Sequence, residues 1–271
     1  MKHESNRTGM TTGFEFPERL LSYWVASLQD QGRREYQEDD LICINDGDVT
    51  LMRQQGMLLA VADGMGGMEG GKEASATVVS SLSADFSRMV RSQPVGAQLA
   101  RMAINASQKV YGKLQGRGGS TLVEGFIFDQ RFSWASVGDS FIYLQRGGGI
   151  YRVNQDMTVR IKRNRQTLQD GAVDREPGER DPEAACVTGF IGMQQPGVDP
   201  EYSRIPLRLR DQDRILICSD GVAGVLADDE ILQALRLANP EEACRDLDRR
   251  IREKNRKNQD NYTALVVLCS Y

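Results

Sequence analysis

Residues 58–67 read LLAVADGMGG. The first part is a run of small and branched apolar residues, and together with Met57 it predicts a buried strand over residues 57–62. The run ends in Asp63, and three of the next four residues are glycines. A buried strand does not need a carboxylate at its end, and a turn needs only one or two glycines. The stretch therefore indicates a strand that delivers Asp63 to a place where a charge is needed, with backbone passing close to another group.

Acidic residues lie at the ends of other apolar strands as well. They are Asp220 after residues 215–219, Asp139 after residues 132–138, Asp260 before residues 262–268, and Glu38, Asp39 and Asp40 before residues 41–44. One Asp-Gly pair is ordinary turn chemistry, but five such placements indicate a common purpose. If the strand ends meet in space, the carboxylates raise one another's pKa unless cations offset their charge. Hard divalent ions with oxygen ligands, Mg²⁺ or Mn²⁺, suit such a set.

This arrangement also suggests a chemistry. Two ions about 3.5–4 Å apart can hold a bridging water and lower its pKa, which gives a nucleophile at neutral pH. The glycines after Asp63 would let the Gly64 carbonyl approach an ion. Arg34 lies four residues before Glu38, and a guanidinium binds phosphate with two parallel hydrogen bonds. The single histidine, His3, lies near the N-terminus, so histidine-based triads and zinc sites are disfavoured.

Composition limits the other possibilities. The chain has 271 residues, 40% hydrophobic and 27% charged, as expected for a globular protein. A net charge of −4 argues against a nucleic-acid partner, and no apolar run approaches the ~20 residues that span a bilayer. The polar N-terminus lacks a secretory h-region, and five widely spaced cysteines favour small core residues in a reducing environment, so a cytoplasmic location is expected. Residues 1–22 are predicted to be a flexible N-terminal lead-in and residues 23–271 a single domain.

The order of predicted elements indicates the fold class. Strands are expected at 23–28, 41–44 and 57–62, helices at 70–91 and after Pro94, a four-strand antiparallel meander at 120–153, strands at 202–209 and 214–218, helices at 228–238 and 240–257, and a strand over the final YTALVVL. Residues 164–200 are rich in charges, Pro and Gly and are predicted to be a surface loop or flap. Antiparallel strands with paired helices outside them predict a layered α+β sandwich.

The ordered set RREYQEDD, VADGMGG, GGSTL, VGDSFIYL, ICSDGV and QDNYTALVV resembles the metal-dependent Ser/Thr protein phosphatases of the 2C type, in their bacterial form. The resemblance extends from about residue 24 to residue 270. It implies a four-layer α-β-β-α sandwich in which two central antiparallel sheets are flanked by helix pairs, with a binuclear metal site in a cleft at one end. The activity that it implies is hydrolysis of phosphoserine and phosphothreonine in proteins, by a metal-bridged hydroxide that attacks phosphorus in line.

The resemblance also implies roles for individual residues. The metal ligands would be Asp39, Asp63, Asp220, Asp260 and the Gly64 carbonyl, with Glu38 acting through a water, Asp139 a candidate for a third ion, and Arg34 binding the substrate phosphate. The cofactor would be Mn²⁺ or Mg²⁺, and residues 164–200 would be a flap that influences substrate choice. The implied partners are phosphorylated proteins, including a Ser/Thr kinase and its targets, and the protein is expected to be a monomer.

Four departures from the family pattern affect details. Met65 stands where many eukaryotic members have a histidine proposed as a general acid, so water is expected to protonate the leaving group. Gln37 replaces an Asn of the bacterial first motif. Phe141 replaces a common Arg, and Asp156-Met157 replaces a common Asp-His pair. None of these changes removes a predicted ligand.

Three other functions fit the sequence less well. Residues 66–73, GGMEGGKE, match the spacing of a phosphate-binding P-loop, but Glu73 replaces the Ser or Thr that would bind Mg²⁺. NDGDVT at 45–50 has the acidic spacing of a calcium loop but lacks the glycine and the twelfth-position Glu. A catalytically inactive relative that acts as a binding protein would be expected to have lost metal-binding aspartates, and here all are present.

Overall fold

The computed structural model describes residues 20–65, 70–169, 183, 186–194 and 197–271. These residues form eleven strands and seven helices. The strands are β1 (Ser22–Asp30), β2 (Asp40–Ile44), β3 (Met57–Ala62), β4 (Leu122–Phe128), β5 (Arg131–Val137), β6 (Phe141–Arg146), β7 (Gly149–Arg152), β8 (Glu201–Tyr202), β9 (Leu207–Arg208), β10 (Arg214–Cys218) and β11 (Tyr262–Ser270). The helices are α1 (Val49–Gln55), α2 (Gly71–Phe86), α3 (Val95–Leu114), α4 (Val159–Gln169), α5 (Asp220–Ala223), α6 (Asp228–Leu235) and α7 (Pro240–Lys254).

The strands form two antiparallel sheets. The first has the order β1-β11-β10-β6-β7, and the second has the order β2-β3-β4-β5-β8, with β9 also paired to β5. Strand β1 pairs with β11 along its whole length, from Ser22 opposite Ser270 to Asp30 opposite Tyr262. The predicted α+β class, with two central antiparallel sheets and helices outside them, is confirmed.

Three apolar layers hold the sandwich together. One lies between the sheets, one between the second sheet and α2 and α3, and one between the first sheet and α5–α7. Strand β3 is continuously apolar because both of its faces are covered. Its alternate residues Met57, Leu59 and Val61 face the other sheet, whereas Leu58, Ala60 and Ala62 face the helices. A strand covered on both faces has no polar side to alternate with.

The predicted meander at 120–153 is wrong in one respect. Strands β4 and β5 belong to the second sheet, whereas β6 and β7 belong to the first. The chain crosses between the sheets after Val137, where Gly138 has a φ of 100°. A Cβ at Gly138 would also lie 2.8 Å from Thr121, so this crossing requires glycine. Asp139 follows at once and therefore lies at the junction of the two sheets.

Three helices were not predicted from the sequence. Helix α1 begins at an Asp48 cap, whose carboxylate accepts hydrogen bonds from the Thr50 and Leu51 backbone N–H groups. Helix α5 has only four residues, too few to show a period. Helix α4 covers part of the predicted 164–200 flap, and its sequence VRIKRNRQTLQ carries no clear apolar stripe. The rest of that flap is described only at residues 183, 186–194 and 197–200, and residues 1–19 of the predicted lead-in also lie outside the described residues.

The sequence predicts neither a membrane-spanning segment nor a disulfide framework. In the part that the structure describes, helices are too short or too polar to cross a bilayer. All five cysteines are free; three are buried, Cys43 is half-buried and Cys186 is exposed.

Candidate metal centre

The sheet register brings the predicted acidic residues to one edge of the sandwich. In the first sheet, Cys218 is the last residue of β10. It lies opposite Ala264, which is close to the start of β11, and opposite Phe141, which begins β6. In the second sheet, Asp40 at the start of β2 lies opposite Ala62 at the end of β3. The five carboxylates that flank these strand ends are Asp39, Asp63, Asp139, Asp220 and Asp260.

Asp63 lies at the centre of this group. Burial raises its pKa well above the ordinary value, and the negative charges of Asp39, Asp220, Asp139 and Asp260, in that order, raise the pKa further. Its backbone is fixed by Thr121, whose N–H donates to the Asp63 carbonyl at 2.8 Å and whose hydroxyl accepts from the Asp63 N–H at 3.3 Å. The structure therefore brings carboxylates from both sheets into electrostatic contact around Asp63.

Asp39 is buried with one of its oxygens unsatisfied. Burial raises its pKa to about 6, and a hydrogen bond from Ser219 opposes this shift. The Ser219 hydroxyl donates to Oδ2 at 2.9 Å. Oδ1 has no hydrogen-bond partner among the described residues. A buried carboxylate oxygen without a partner is costly unless a cation or a proton compensates it.

Burial also raises the pKa of two other carboxylates, those of Asp139 and Asp220. Burial and then the charge of Asp220 raise the pKa of Asp139 to about 7. Burial and then the charge of Asp260 raise the pKa of Asp220, and the nearby Arg34 partly opposes this. At neutral pH these groups compete for protons, which is the expected behaviour of acidic groups that are arranged to share a cation.

Arg34 contacts the same centre through Asp260. Its Nη2 lies 2.6 Å from Asp260 Oδ2, and both side chains are nearly half exposed. Gln31 Nε2 donates to the Arg34 carbonyl at 2.7 Å and so holds the loop between β1 and β2 in place. The guanidinium therefore lies at the solvent-exposed side of the cluster of carboxylates, where a phosphate could reach it.

Gly64 lies where two backbone segments approach each other. Its N–H donates to the Glu38 carbonyl at 3.1 Å, and it forms an isolated β-bridge with Ser120. A Cβ at Gly64 would lie 2.4 Å from the Glu38 carbonyl oxygen and 2.5 Å from that of Gly71. The close approach that the sequence predicted is therefore a contact between backbone segments. The Glu38 carboxylate packs against Gly71 at the start of α2, where a helix N-terminus favours negative charge.

Two residues that position this centre were not predicted from the sequence. Ser219 bonds to Asp39 and also accepts from the Thr263 N–H at 3.0 Å, so it links β10, β11 and the loop before β2. Asn261 accepts from the Glu38 N–H at 2.9 Å and donates to the carbonyls of Gln31 and Tyr36. Each of them is adjacent to a predicted ligand, in SDG and QDN, and that adjacency was the only indication available in the sequence.

The donor set fits a hard divalent cation. Carboxylates from both sheets converge, and the buried Asp39 Oδ1 lacks a partner. Among the described residues, however, no three His, Cys, Asp or Glu side chains are already arranged to hold an ion. Some of the oxygens contact protein donors instead: Asp260 Oδ2 contacts Arg34, and Asp39 Oδ2 contacts Ser219.

Comparison with known proteins shows which family the chain resembles. The family model described as "Protein phosphatase 2C" matches residues 45–262. The serine/threonine protein phosphatase PstP of Mycobacterium tuberculosis is 30% identical over 197 residues, which are 69% of this chain and 36% of PstP. The chain thus spans about a third of the length of that relative. The protein phosphatase PhpP of Streptococcus pneumoniae is 26% identical over 213 residues, 76% of this chain and 82% of PhpP.

Solved structures share the fold. The Streptococcus agalactiae serine/threonine phosphatase superposes with a TM-score of 0.75 at 22% identity, covering 91% of this chain and 99% of that one. The Mycobacterium smegmatis phosphatase MsPP, in complex with cacodylate, gives 0.70 at 26% identity and covers 90% and 97%. The catalytic domain of PstP in complex with two manganese ions gives 0.71 at 24% identity and covers 93% and 100%.

Proposed function

Because the chain belongs to the protein phosphatase 2C family, we propose that it is a metal-dependent phosphatase that hydrolyses phosphoserine and phosphothreonine in proteins. The observation that carries the proposal is the convergence of Asp39, Asp139, Asp220 and Asp260 on the buried Asp63. The family match begins at residue 45, so Arg34, Glu38 and Asp39 are supported by the geometry and the sequence motif rather than by that match.

We infer that the ligands are Asp39, Asp63, Asp220, Asp260 and the Gly64 carbonyl, with Glu38 acting through a water and Asp139 serving a third ion. Two Mn²⁺ or Mg²⁺ ions, when bound, would offset the carboxylate charge and act as Lewis acids toward a phosphoryl group. The PstP complex with two manganese ions supports a binuclear centre. The Asp39 carboxylate that would coordinate a cation is buried, which suits tight and selective cation binding.

Arg34 would bind and orient the substrate phosphate. Its guanidinium is nearly half exposed and already lies at hydrogen-bond distance from the centre. A planar donor pair matches two phosphate oxygens and stabilises negative charge that develops during phosphoryl transfer. Met65, next to Gly64, has no titratable group, so protonation of the leaving oxygen by this side chain is excluded and water is expected to supply the proton.

The wider assignments follow the same proposal. The names of the bacterial relatives support protein substrates. We propose that residues 23–271 act as one phosphatase domain after an N-terminal lead-in. A Ser/Thr kinase and its targets as partners, a monomeric state and a cytoplasmic location remain predictions from the sequence.

The proposed function is tested by hydrolysis of p-nitrophenyl phosphate and of a phosphothreonine peptide, with Mn²⁺ or Mg²⁺ and then with excess EDTA. We expect turnover that disappears on chelation and returns when Mn²⁺ is added. Absence of turnover from folded protein that still binds Mn²⁺ would instead identify a binding or regulatory member of the family.

A variant of the central carboxylate provides a second test. Asp63→Asn should abolish metal-dependent turnover, whereas its free energy of unfolding in EDTA at pH 8 should rise, because a repelling charge is removed from a buried acidic cluster. Mn²⁺ should stabilise the wild-type protein against unfolding and should stabilise the variant much less. Wild-type turnover in Asp63→Asn would contradict the ligand assignment.

A further inference from the structure

A cleft lies beside the carboxylate centre. Its volume is about 250 Å³, and its walls come from the loop after β1, the C-terminal end of α7 and the segment before β11. Among the described residues, its lining includes one carboxylate, that of Asp30, and three arginines: Arg33, Arg252 and Arg256. The cleft therefore has an excess of positive charge in a chain whose net charge is −4.

Ion pairing divides the three arginines into two kinds. Arg252 contacts Asp30 at 2.6 Å and Asp248 at 2.8 Å, so its charge is offset. Arg256 donates to the Gly224 carbonyl at 3.0 Å, and Arg33 donates through its backbone to the Gln259 carbonyl at 2.9 Å. Within the described residues, neither Arg33 nor Arg256 contacts a carboxylate. Among the described residues, no carboxylate therefore offsets the positive charges of these two side chains, and they can attract an anion.

A structural role at the helix end explains only part of this charge. Basic residues in the last turn of a helix complement its negative C-terminal dipole, and Arg252 and Lys254 occupy that turn of α7. Arg256 lies beyond the helix, after Asn255, and Arg33 belongs to a different segment of the chain. The dipole therefore does not account for the two cations that lack carboxylate partners.

The cleft and the carboxylate centre share a wall. Arg33 is bonded to Gln259, and the next residues along the two segments, Arg34 and Asp260, are bonded to each other at 2.6 Å. Consecutive Cα atoms are about 3.8 Å apart, and an extended peptide advances about 3.3–3.6 Å per residue. A peptide whose phosphate lies at Arg34 would therefore place a residue one to three positions away at the cleft.

We propose that this cleft is a substrate subsite that binds a Glu or Asp side chain one to three residues from the phosphorylated serine or threonine. The proposal rests on the phosphatase function proposed above and adds to it a sequence preference. Arg33 and Arg256 bind the acidic side chain, Arg252 is held in the wall by Asp30 and Asp248, and Arg34 remains available for the phosphate. Exposed ion pairs of this kind change affinity by about two- to fivefold.

The test uses matched phosphothreonine peptides that carry Glu, Ala or Lys at each of three positions on either side of the phosphothreonine. For at least one position, the wild-type enzyme should show a kcat/KM about two- to fivefold higher for Glu than for Ala, and added salt should reduce this preference. The double variant Arg33→Ala/Arg256→Ala should lose the preference. Arg33→Glu should favour the Lys peptide. Hydrolysis of p-nitrophenyl phosphate, which has no flanking residue, should not change in these variants.

Arg101→Ala is the matched control. Arg101 is an exposed arginine on α3, which packs against the second sheet, whereas β1 and β11 beside the cleft belong to the first sheet. The Arg101→Ala variant should keep the Glu preference. The subsite would be refuted if the wild type showed no Glu preference, or if the preference survived in the double variant. If the wild type did not hydrolyse p-nitrophenyl phosphate with Mn²⁺, the proposed function would fail. The Glu-to-Ala ratio of peptide dissociation constants, measured by fluorescence anisotropy in EDTA, would then still test the subsite.

Discussion

Arg34 Nη2 and Asp260 Oδ2 are 2.6 Å apart, so the proposed phosphate-binding cation directly contacts a proposed metal ligand. The positive charge of Arg34 repels a divalent cation. Its guanidinium also contacts Asp260 Oδ2, an oxygen that the cation would need as a ligand. We therefore expect Arg34→Ala to raise KM for a phosphothreonine peptide and, at the same time, to bind Mn²⁺ about two- to fivefold more tightly.

Calorimetric titration with Mn²⁺ at pH 8, where protons compete least with the metal, measures this change in affinity. Arg34→Lys keeps the charge and should therefore bind Mn²⁺ nearly as the wild type does, although it loses the planar donor pair and should still raise KM. An Arg34→Ala protein with unchanged KM would move phosphate binding to another residue, and one with weaker Mn²⁺ binding would show that Arg34 supports the metal centre.

Ser219 connects Asp39 to the first sheet. Its hydroxyl donates to Asp39 Oδ2 at 2.9 Å and accepts from the Thr263 N–H at 3.0 Å, and the residue is fully buried. Ser219→Ala leaves two buried groups without partners, so we expect a loss of about 1–3 kcal/mol in the free energy of unfolding. The hydrogen bond from Ser219 also lowers the pKa of Asp39. Without it, protons compete more strongly with the metal, so the loss of Mn²⁺ affinity relative to wild type should be larger at pH 6 than at pH 8.

Urea unfolding and Mn²⁺ titration at the two pH values provide the test, with Ser87→Ala, at the exposed end of α2, as the control. A Ser219→Ala protein as stable as wild type would mean that another group replaces the hydroxyl.

Two glycines allow a direct test of backbone crowding at the centre. A Cβ at Gly64 would meet two backbone carbonyl oxygens at 2.4 and 2.5 Å, whereas a Cβ at Gly112 in α3 would meet nothing within 4 Å. Gly64→Ala should therefore lower the free energy of unfolding by about 1–3 kcal/mol and impair turnover. Gly112→Ala should stabilise the protein by up to about 1 kcal/mol, because alanine favours a helix. Equal effects of the two substitutions in thermal or urea unfolding would contradict this assignment.

The sequence indicated most of the strands and the strand-end aspartates because both depend on local pattern. Strand β3 is recognisable because both of its faces are buried, and Asp63 follows from the abrupt end of that strand. The pair Arg34–Asp260 is 226 residues apart in the chain, and no local pattern indicates that the two residues meet. The crossing at Gly138 was missed for a similar reason, since the choice of sheet depends on packing rather than on strand propensity.

A buried acid remote from the metal centre gives a pH-dependent prediction. Glu124, on β4, is fully buried opposite Ala60 and Ala135, and neither of its carboxylate oxygens has a hydrogen-bond partner among the described residues. Burial, with a further contribution from Asp85, raises its pKa well above the ordinary value of 4.5. The folded protein therefore holds a proton on Glu124 at pH values where the unfolded chain has released it.

The direction of the effect follows from proton linkage. Because its folded-state pKa is raised, ionisation of Glu124 does not affect stability well below pH 4.5, and stability falls as pH rises above this value, by up to about 1.4 kcal/mol per pH unit, until the folded-state pKa is reached. Glu124→Gln cannot ionise, so its stability relative to wild type should increase as pH rises above about 4.5 and should level off above the folded-state pKa of Glu124. Urea unfolding in EDTA at each pH measures this difference. If Glu124→Gln and wild type had parallel pH profiles, a donor group or a bound cation would have to compensate the buried carboxylate.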